Sequence, residues 1–595
     1  MNRYTRLVPI WGFRMRLIRT TTLAFMAALS ASGLATAGEL RTAVSSSTAT
    51  LVGEVSVSEL AASEANRQAL EAQQSASPVE QPVHRLPDGS LTSAPSQATL
   101  NALPLIAEPN ADIVSAEAFG PSFANIKGFI GIVEADNITA NHFELEPPDQ
   151  GLAVYNNEAV EIVNNVIRVF NTTTGAPLTG LIATSLFFQA PAGTGLTDTQ
   201  AFFDPTTQRW FLDELVFNNT TIEDIAVAIS QTSNPTGSYF IYHIRAFSSD
   251  LAGCGGQDCL PDYPKAGYDQ NIFVIDVNLF NTKTGGGFVG AAAYVLPKSK
   301  LNAGAGFIYE RLTFPNDFTV QPSIPAPGEP FVTAANGTEY LLETRKDVDG
   351  TNNVRVWAIS NTNNIVSNPG SLRGLAVDVP VETYGGATVP STQPNVVGPF
   401  CKSKGVTSAP LLDGGFAAFQ ATVQQASGRL YGTMAFGSPD ANQLNRDVIA
   451  WFALTPSVSS IGVPSATVFN QGFVIPPNGF SLSYPAFGLN KTGDGAMGFT
   501  VTNNSMLFPS AAFIQFAGTA PTGPIVITGQ GQASDDGFTG CPGPGPGQVG
   551  RWGDDGAAVV DAKTGFYYTA NEMIPFKTVA TGQLANWGTF ITQLH

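Results

Sequence analysis

A chain of 595 residues with 47 Asp and Glu against 29 Lys and Arg carries a formal charge of −18. That balance favours solubility and repels phosphate backbones and anionic lipid surfaces, so it argues against nucleic-acid binding and favours cations or basic partners. The length suits either several domains or one large circular array.

The chain opens with Arg14, Arg16 and Arg19, an apolar stretch over 22–34, and the small residues Ala35-Thr36-Ala37. These are the three parts of an export signal, with cleavage expected after Ala37. The apolar stretch is shorter than the about 20 residues a membrane span needs. Removal of residues 1–37 takes away five arginines and no acids, leaving a mature charge of −23. No later apolar run reaches spanning length, so a protein secreted into the periplasm, the cell surface or the medium is expected.

Residues 38–125 are rich in Ala, Ser, Thr and Glu and poor in aromatics, with helical spacing over 57–75, and read as a partly disordered leader or linker. From Ile126 to residue 595 the pattern changes to short β-branched and apolar runs broken by Gly, Asn, Asp and Pro, the pattern of strands and turns. A unit recurs in this region: a polar start with Asp or Gln beside Gly or Pro, a short apolar strand, a turn and a second strand. The starts are Asp149-Gln150-Gly151, Asp198-Thr199-Gln200, Asp262-Tyr263-Pro264, Gln321-Pro322-Ser323, Asp413-Gly414-Gly415, Ser483-Tyr484-Pro485 and Gly553-Asp554-Asp555. Seven starts point to an all-β, seven-bladed β-propeller with irregular insertions, since they are spaced more widely than in compact propeller repeats. A β-solenoid would show shorter, more even periods, and paired sandwich domains would be expected to show a linker.

The turn after the first strand also recurs, as Asp204-Pro205-Thr206-Thr207 before Trp210 and Asp561-Ala562-Lys563-Thr564 before Phe566. There an Asp or Thr side chain satisfies backbone N–H groups before an aromatic packs between sheets. Four cysteines suit two disulfides in an exported chain, with Cys254 to Cys259 and Cys401 to Cys541 the preferred pairing. The histidines are too scattered for a zinc site.

At Asp149-Gln150-Gly151-Leu152-Ala153-Val154, Phe203-Asp204-Pro205, Asp262-Tyr263-Pro264 and Arg551-Trp552-Gly553-Asp554, the chain resembles a group of large exported microbial proteins of propeller-like type. The resemblance runs from about residue 145 onward and implies fold and export, with no catalytic residue to carry over. Asp555 departs from it, an aromatic or small residue being expected there.

In a propeller the first residues of the inner strands gather at one mouth of the central channel. Asp149, Asp198, Asp262, Asp413 and Asp554 would then converge there, where carboxylates can hold Ca²⁺ or cap their own turns, the commoner use of Asp. The run Asp347 to Asn352 has calcium-loop spacing but no closing glutamate, and reads better as a hairpin. Glu161, Asp213, Glu214, Glu343 and Glu572 are candidate acids for glycoside cleavage, although their spacing selects no pair. Arg168, Arg209, Arg245, Arg345 and Arg551 could serve a carboxylate-bearing sugar but suit surface pairing better. No Gly-x-Ser-x-Gly elbow occurs, and His243 lies in an alternating strand. A secreted binding protein for a polysaccharide, peptide or protein partner is therefore the expected function, with a carbohydrate hydrolase or lyase as the alternative.

Overall fold

The computed structural model describes residues 44–63, 79–80, 104, 106, 109–116 and 125–595, apart from short stretches at 219, 283–286, 345–351, 441, 443–444, 519 and 579–582. The export signal lies outside the described residues, as do residues 345–351 of the expected hairpin, whose flanking strands Thr338–Thr344 and Asn353–Ser360 pair antiparallel.

Strands dominate because many runs are apolar on both faces. Ile272–Asn281 (IFVIDVNLFN) is buried at every position, which a sheet achieves only when other sheets cover both its sides. Among the described residues, such runs form successive antiparallel meanders, two of which join in one eight-stranded sheet. Their inner strands are Gly151–Tyr155, Gly195–Asp204, Leu260–Tyr268, Gln321–Pro325, Val423–Ala426, Phe480–Leu489 and Ala557–Val560. Each inner strand neighbours the next, and the last returns to the first, so the meanders close into a β-propeller.

The core is divided accordingly. Between the second and third blades, Phe202, Phe211 and Ile229 pack on Tyr268, Phe273 and Tyr294. Between the seventh and first, Tyr568, Ala570 and Ile591 pack on Leu152, Val154 and Phe170. The inner strands come close enough to demand small residues: a methyl group at Gly267 would run into the Ser323 carbonyl of the next inner strand.

The ring is locked by its earliest strand. Ile126–Val133 pairs antiparallel with Gly588–Leu594 and completes the seventh blade from the opposite end of the chain. Glu161 of the first blade reinforces this lock by accepting hydrogen bonds from the Ile132 N–H (2.8 Å) and the Thr589 hydroxyl.

The segment expected as a leader also contributes strands. Val44–Ala49 pairs with the outer strand of the third blade, Leu51–Ser56 with that of the second, and Ile113–Ser115, in parallel, with that of the sixth. The helical spacing of 57–75 materialises over Val57–Ala62, where Ser56 caps the first turn; residues 64–75 lie outside the described residues. Among the described residues no helix is long and apolar enough to cross a membrane.

Both disulfides join the expected partners, Cys254 to Cys259 and Cys401 to Cys541. The second ties two insertions together, 381–422 between the fourth and fifth blades and 530–556 between the sixth and seventh. Val406–Ser408 pairs with Gly545–Pro546 and Leu411–Leu412 with Val549–Gly550, so the insertions form one cap on the front face, where the inner strands begin. The Gly-Pro run 542–547 supplies part of this pairing.

Candidate functional site at the front mouth

Six of the seven polar starts have a backbone basis. Asp149, Asp198, Tyr263, Thr319, Tyr484 and Asp554 all have φ between 44° and 59°, the left-handed region. In three blades this residue sits where the first-to-second strand register breaks, at Thr197/Thr199, Asp262/Lys265 and Ser483/Ala486. The extra residue kinks the chain into the inner strand and re-aims its side chain. Asp tolerates this conformation better than most residues, whereas Tyr and Thr occupy it only when their surroundings impose it.

The kink sorts the five predicted aspartates. Asp149, Asp198 and Asp554 occupy equivalent left-handed positions. Asp262 stands one residue earlier in its blade, because Tyr263 takes the kink, and lies opposite Asn278 in the ladder. Asp413 belongs to the cap: it accepts from the Gly415 N–H and stands 3.8 Å from Arg551. All five are buried.

Their partners are protein groups. The Asn164 amide donates to Asp149 (2.7 Å) and its carbonyl accepts from the Asp198 N–H (2.9 Å). Asp198 accepts from the Tyr263 N–H (2.9 Å). Arg551 pairs with Asp554 (2.5 Å). Lys265 pairs with Asp555 (2.5 and 2.6 Å), and Tyr263 donates its hydroxyl proton within a set comprising the Asp554 and Gln420 carbonyls and Asp555. Among the described residues no three His, Cys, Asp or Glu side chains are arranged to hold a metal ion. The positive charge at this mouth comes from Arg551 and Lys265.

Electrostatics follow from burial. Desolvation pushes the Asp149 carboxyl well above the usual range, and Asp554, Asp198 and Asp555 push it further. Burial opposes the charge on Arg551, but Asp554, Asp413 and Asp149 outweigh it and raise its proton affinity. Burial likewise lifts Glu572, against the hydrogen bond it accepts from the Gly553 N–H.

The other candidate acids serve loops. Glu214 accepts from the Asn165 N–H (3.3 Å), Glu343 from the Phe318 N–H (3.2 Å) and Glu572 from the Gly553 N–H (2.6 Å). Each satisfies a backbone donor near the front mouth, where an unpaired N–H would cost stability. Asp213 differs, since neither of its oxygens has a hydrogen-bond partner. The arginines scatter: Arg168 pairs with Asp136, Arg245 with Asp258, and Arg209 donates to the Thr207 and Gln208 carbonyls. Arg345 lies outside the described residues. The His243 ring bonds the Phe188 carbonyl.

Sequence reading missed Lys265 and Gln200. Both stand two residues after a left-handed position, a signal visible only once that position is known. Behind the mouth the channel holds a cavity of about 70 Å³ touching Gln150, Gln200, Ala201, Ala558, Val559 and Asp555.

Among the described residues the rear face carries short turns and loops between strands. Its first-to-second strand turns are built as expected: Asp204 accepts from the Thr206 N–H and from both threonine hydroxyls, and Asp561 from the Lys563 and Thr564 N–H groups. Asp561 also accepts from the Asn156 and Asn157 N–H groups, bridging the seventh blade to the first. Between the third and fourth blades this face carries a hollow of about 450 Å³ lined by Thr48, Pro297, Lys300, Phe307, Ile308 and Val366, of which Ile308 and Val366 are exposed.

No protein-family model and no curated protein matches the sequence. Several solved structures overlap weakly. A chain from the Saccharomyces cerevisiae dbp5 complex with nup159 and gle1 gives a TM-score of 0.31 at 10% identity, over 82% of this chain and 99% of that one. The Trypanosoma rangeli sialidase gives 0.30 at 10% identity, over 74% of this chain and 59% of that one. The Podospora anserina α-L-arabinofuranosidase gives 0.25 at 13% identity, over 63% and 98%. Overlaps of this size say nothing about activity.

Proposed function

We propose that the chain is an exported binding protein that takes a peptide or protein ligand on its rear face. The observation that carries this reading is the state of the front mouth: the carboxylates there are covered by a disulfide-tied cap and engaged by Arg551, Lys265, Asn164 and backbone N–H groups. A hydrolytic pair must reach its substrate, and these groups do not reach solvent. The rear hollow is of ligand size, and its exposed Ile308 and Val366 beside Lys300 suit an aliphatic side chain with a nearby carboxylate. Two disulfides fit an oxidising compartment.

The test pairs selection of peptides from a displayed library on the purified mature chain with turnover assays on a glycan panel. Ile308→Asp with Val366→Asp is expected to weaken the selected peptides about tenfold or more, about 1.4 kcal/mol. Glycan cleavage that Asp149→Asn or Asp554→Asn abolishes, and that the rear-face variant leaves intact, would overturn the reading in favour of a hydrolase.

A further inference from the structure

We propose that Lys265 and Asp555 condense into an amide bond, so that the propeller staples its third blade to the segment leading into its seventh. Lys265 Nζ lies 2.5 and 2.6 Å from the two carboxylate oxygens of Asp555, 290 residues further along the chain. Both side chains are only 2% exposed. The Tyr263 ring lies 3.7 Å from Nζ, and the Tyr263 hydroxyl is 3.1 Å from an Asp555 oxygen, so the amine is held against the carboxyl from one side. The register break at Asp262/Lys265 turns Lys265 towards the centre, and the left-handed Asp554 positions Asp555 opposite it.

Two isolated charges in such a place cost free energy that their attraction offsets only in part, and the neutral pair of amine and acid avoids the cost. A proton passes from the ammonium to the Asp555 carboxylate. The Nζ lone pair then attacks Cγ, forming the C–N bond. The tetrahedral carbon loses one oxygen as water, which carries away the carboxyl hydroxyl and one amine proton. Amine and carboxylic acid become amide and water, with no oxidation or reduction.

A proton donor for the leaving hydroxyl is at hand. Asp213, on the second strand of the second blade, stands opposite Gln200 in the ladder, and the Gln200 amide lies 3.5 Å from Asp555; Asp213 is fully buried, and neither of its oxygens has a hydrogen-bond partner. Burial above all, and Asp555 beside it, hold its carboxyl well above the ordinary range despite the opposing pull of Lys265, and so favour the protonated form. That proton can pass to the departing oxygen and be restored from the attacking amine. An orphaned acid beside a buried Lys–Asp contact is costly as architecture alone and is accounted for by this chemistry.

Mass spectrometry of the purified mature chain tests the proposal. With both disulfides intact, the expected mass is one water and four hydrogens below that of the reduced mature sequence. Digestion with trypsin is expected to leave the bond after Lys265 uncut and to release a branched peptide carrying both Lys265 and Asp555. Asp213→Asn is expected to restore the full mass in a chain that still forms both disulfides, and Asp213→Glu to recover the cross-link. A wild-type chain of full mass whose Lys265 is cut by trypsin and acetylated after denaturation would overturn the proposal.

Discussion

Glu161 shows how much one side chain can hold. Its carboxyl is pushed up to about 7 by burial, against the hydrogen bonds from Thr589 and Ile132. Glu161→Ala leaves the buried Ile132 N–H without a partner and is expected to cost about 1–3 kcal/mol, read as a lower urea midpoint at unchanged slope. The same burial acts on Glu144 and Asp535, also raised to about 7, and lifts Asp149, Glu146, Asp213 and Glu572 well above their ordinary values. A carboxyl raised on folding binds its proton more tightly in the native than in the unfolded chain. Its contribution is complete below the unfolded value and is lost as pH rises through the folded one. The melting temperature is therefore expected to be higher near about pH 5 than near about pH 8. Asp204, Asp250 and Asp258 run the other way: on Asp250 the Arg311 hydrogen bond is the largest influence, and on Asp204 and Asp258 ion pairs and hydrogen bonds outweigh burial. Their share is lost as pH falls through the acid range, so the profile turns down in stronger acid. A melting temperature that climbs steadily from acid to alkali would contradict this assignment.

Among the elements, the cap and the kinked starts decide what the front mouth can do. The Cys401–Cys541 bridge spans 140 residues and Cys254–Cys259 spans 5. Loop-closure entropy gives about 5 kcal/mol for the first and about 2 for the second. Replacing the first pair with serines should therefore lower the melting temperature more than replacing the second, a difference calorimetry would resolve. The sequence announces the kinks where Asp takes the left-handed position, at 149, 198 and 554. It hides them at Thr319, Tyr263 and Tyr484, where tertiary packing overrides a residue's own preference. Asp413 carries the same Asp-Gly signal but lies in the cap, since Asp and Gly mark tight turns wherever they occur. The edge strand Val44–Ala49, written VSSSTA, escapes a strand reading because it lacks an apolar alternation, and its ladder to the third blade supplies what its side chains do not.

At the scale of the whole molecule, stability depends on the closure of the ring. Removal of residues 126–133 exposes the edge of Gly588–Leu594 and leaves Glu161 without the Ile132 N–H as a partner. Such a chain is expected to lose its cooperative melting transition and to self-associate through the bare edge, visible by calorimetry and size-exclusion chromatography. The blade pattern was legible because each repeat needs two apolar sheet faces and a polar turn between them. The cap was not, because its insertions follow no repeat and their meaning lies in what they cover.

The closing strand also sets an order of events. Ile126–Val133 is among the first parts of the ring to be synthesised, and its partner Gly588–Leu594 among the last, so the circle cannot shut while the chain is still being made. Six blades can exist by then, with an open seam between the first and the unfinished seventh. A partly made chain is thus an unsealed arc, and its seam closes only once the last strand is complete.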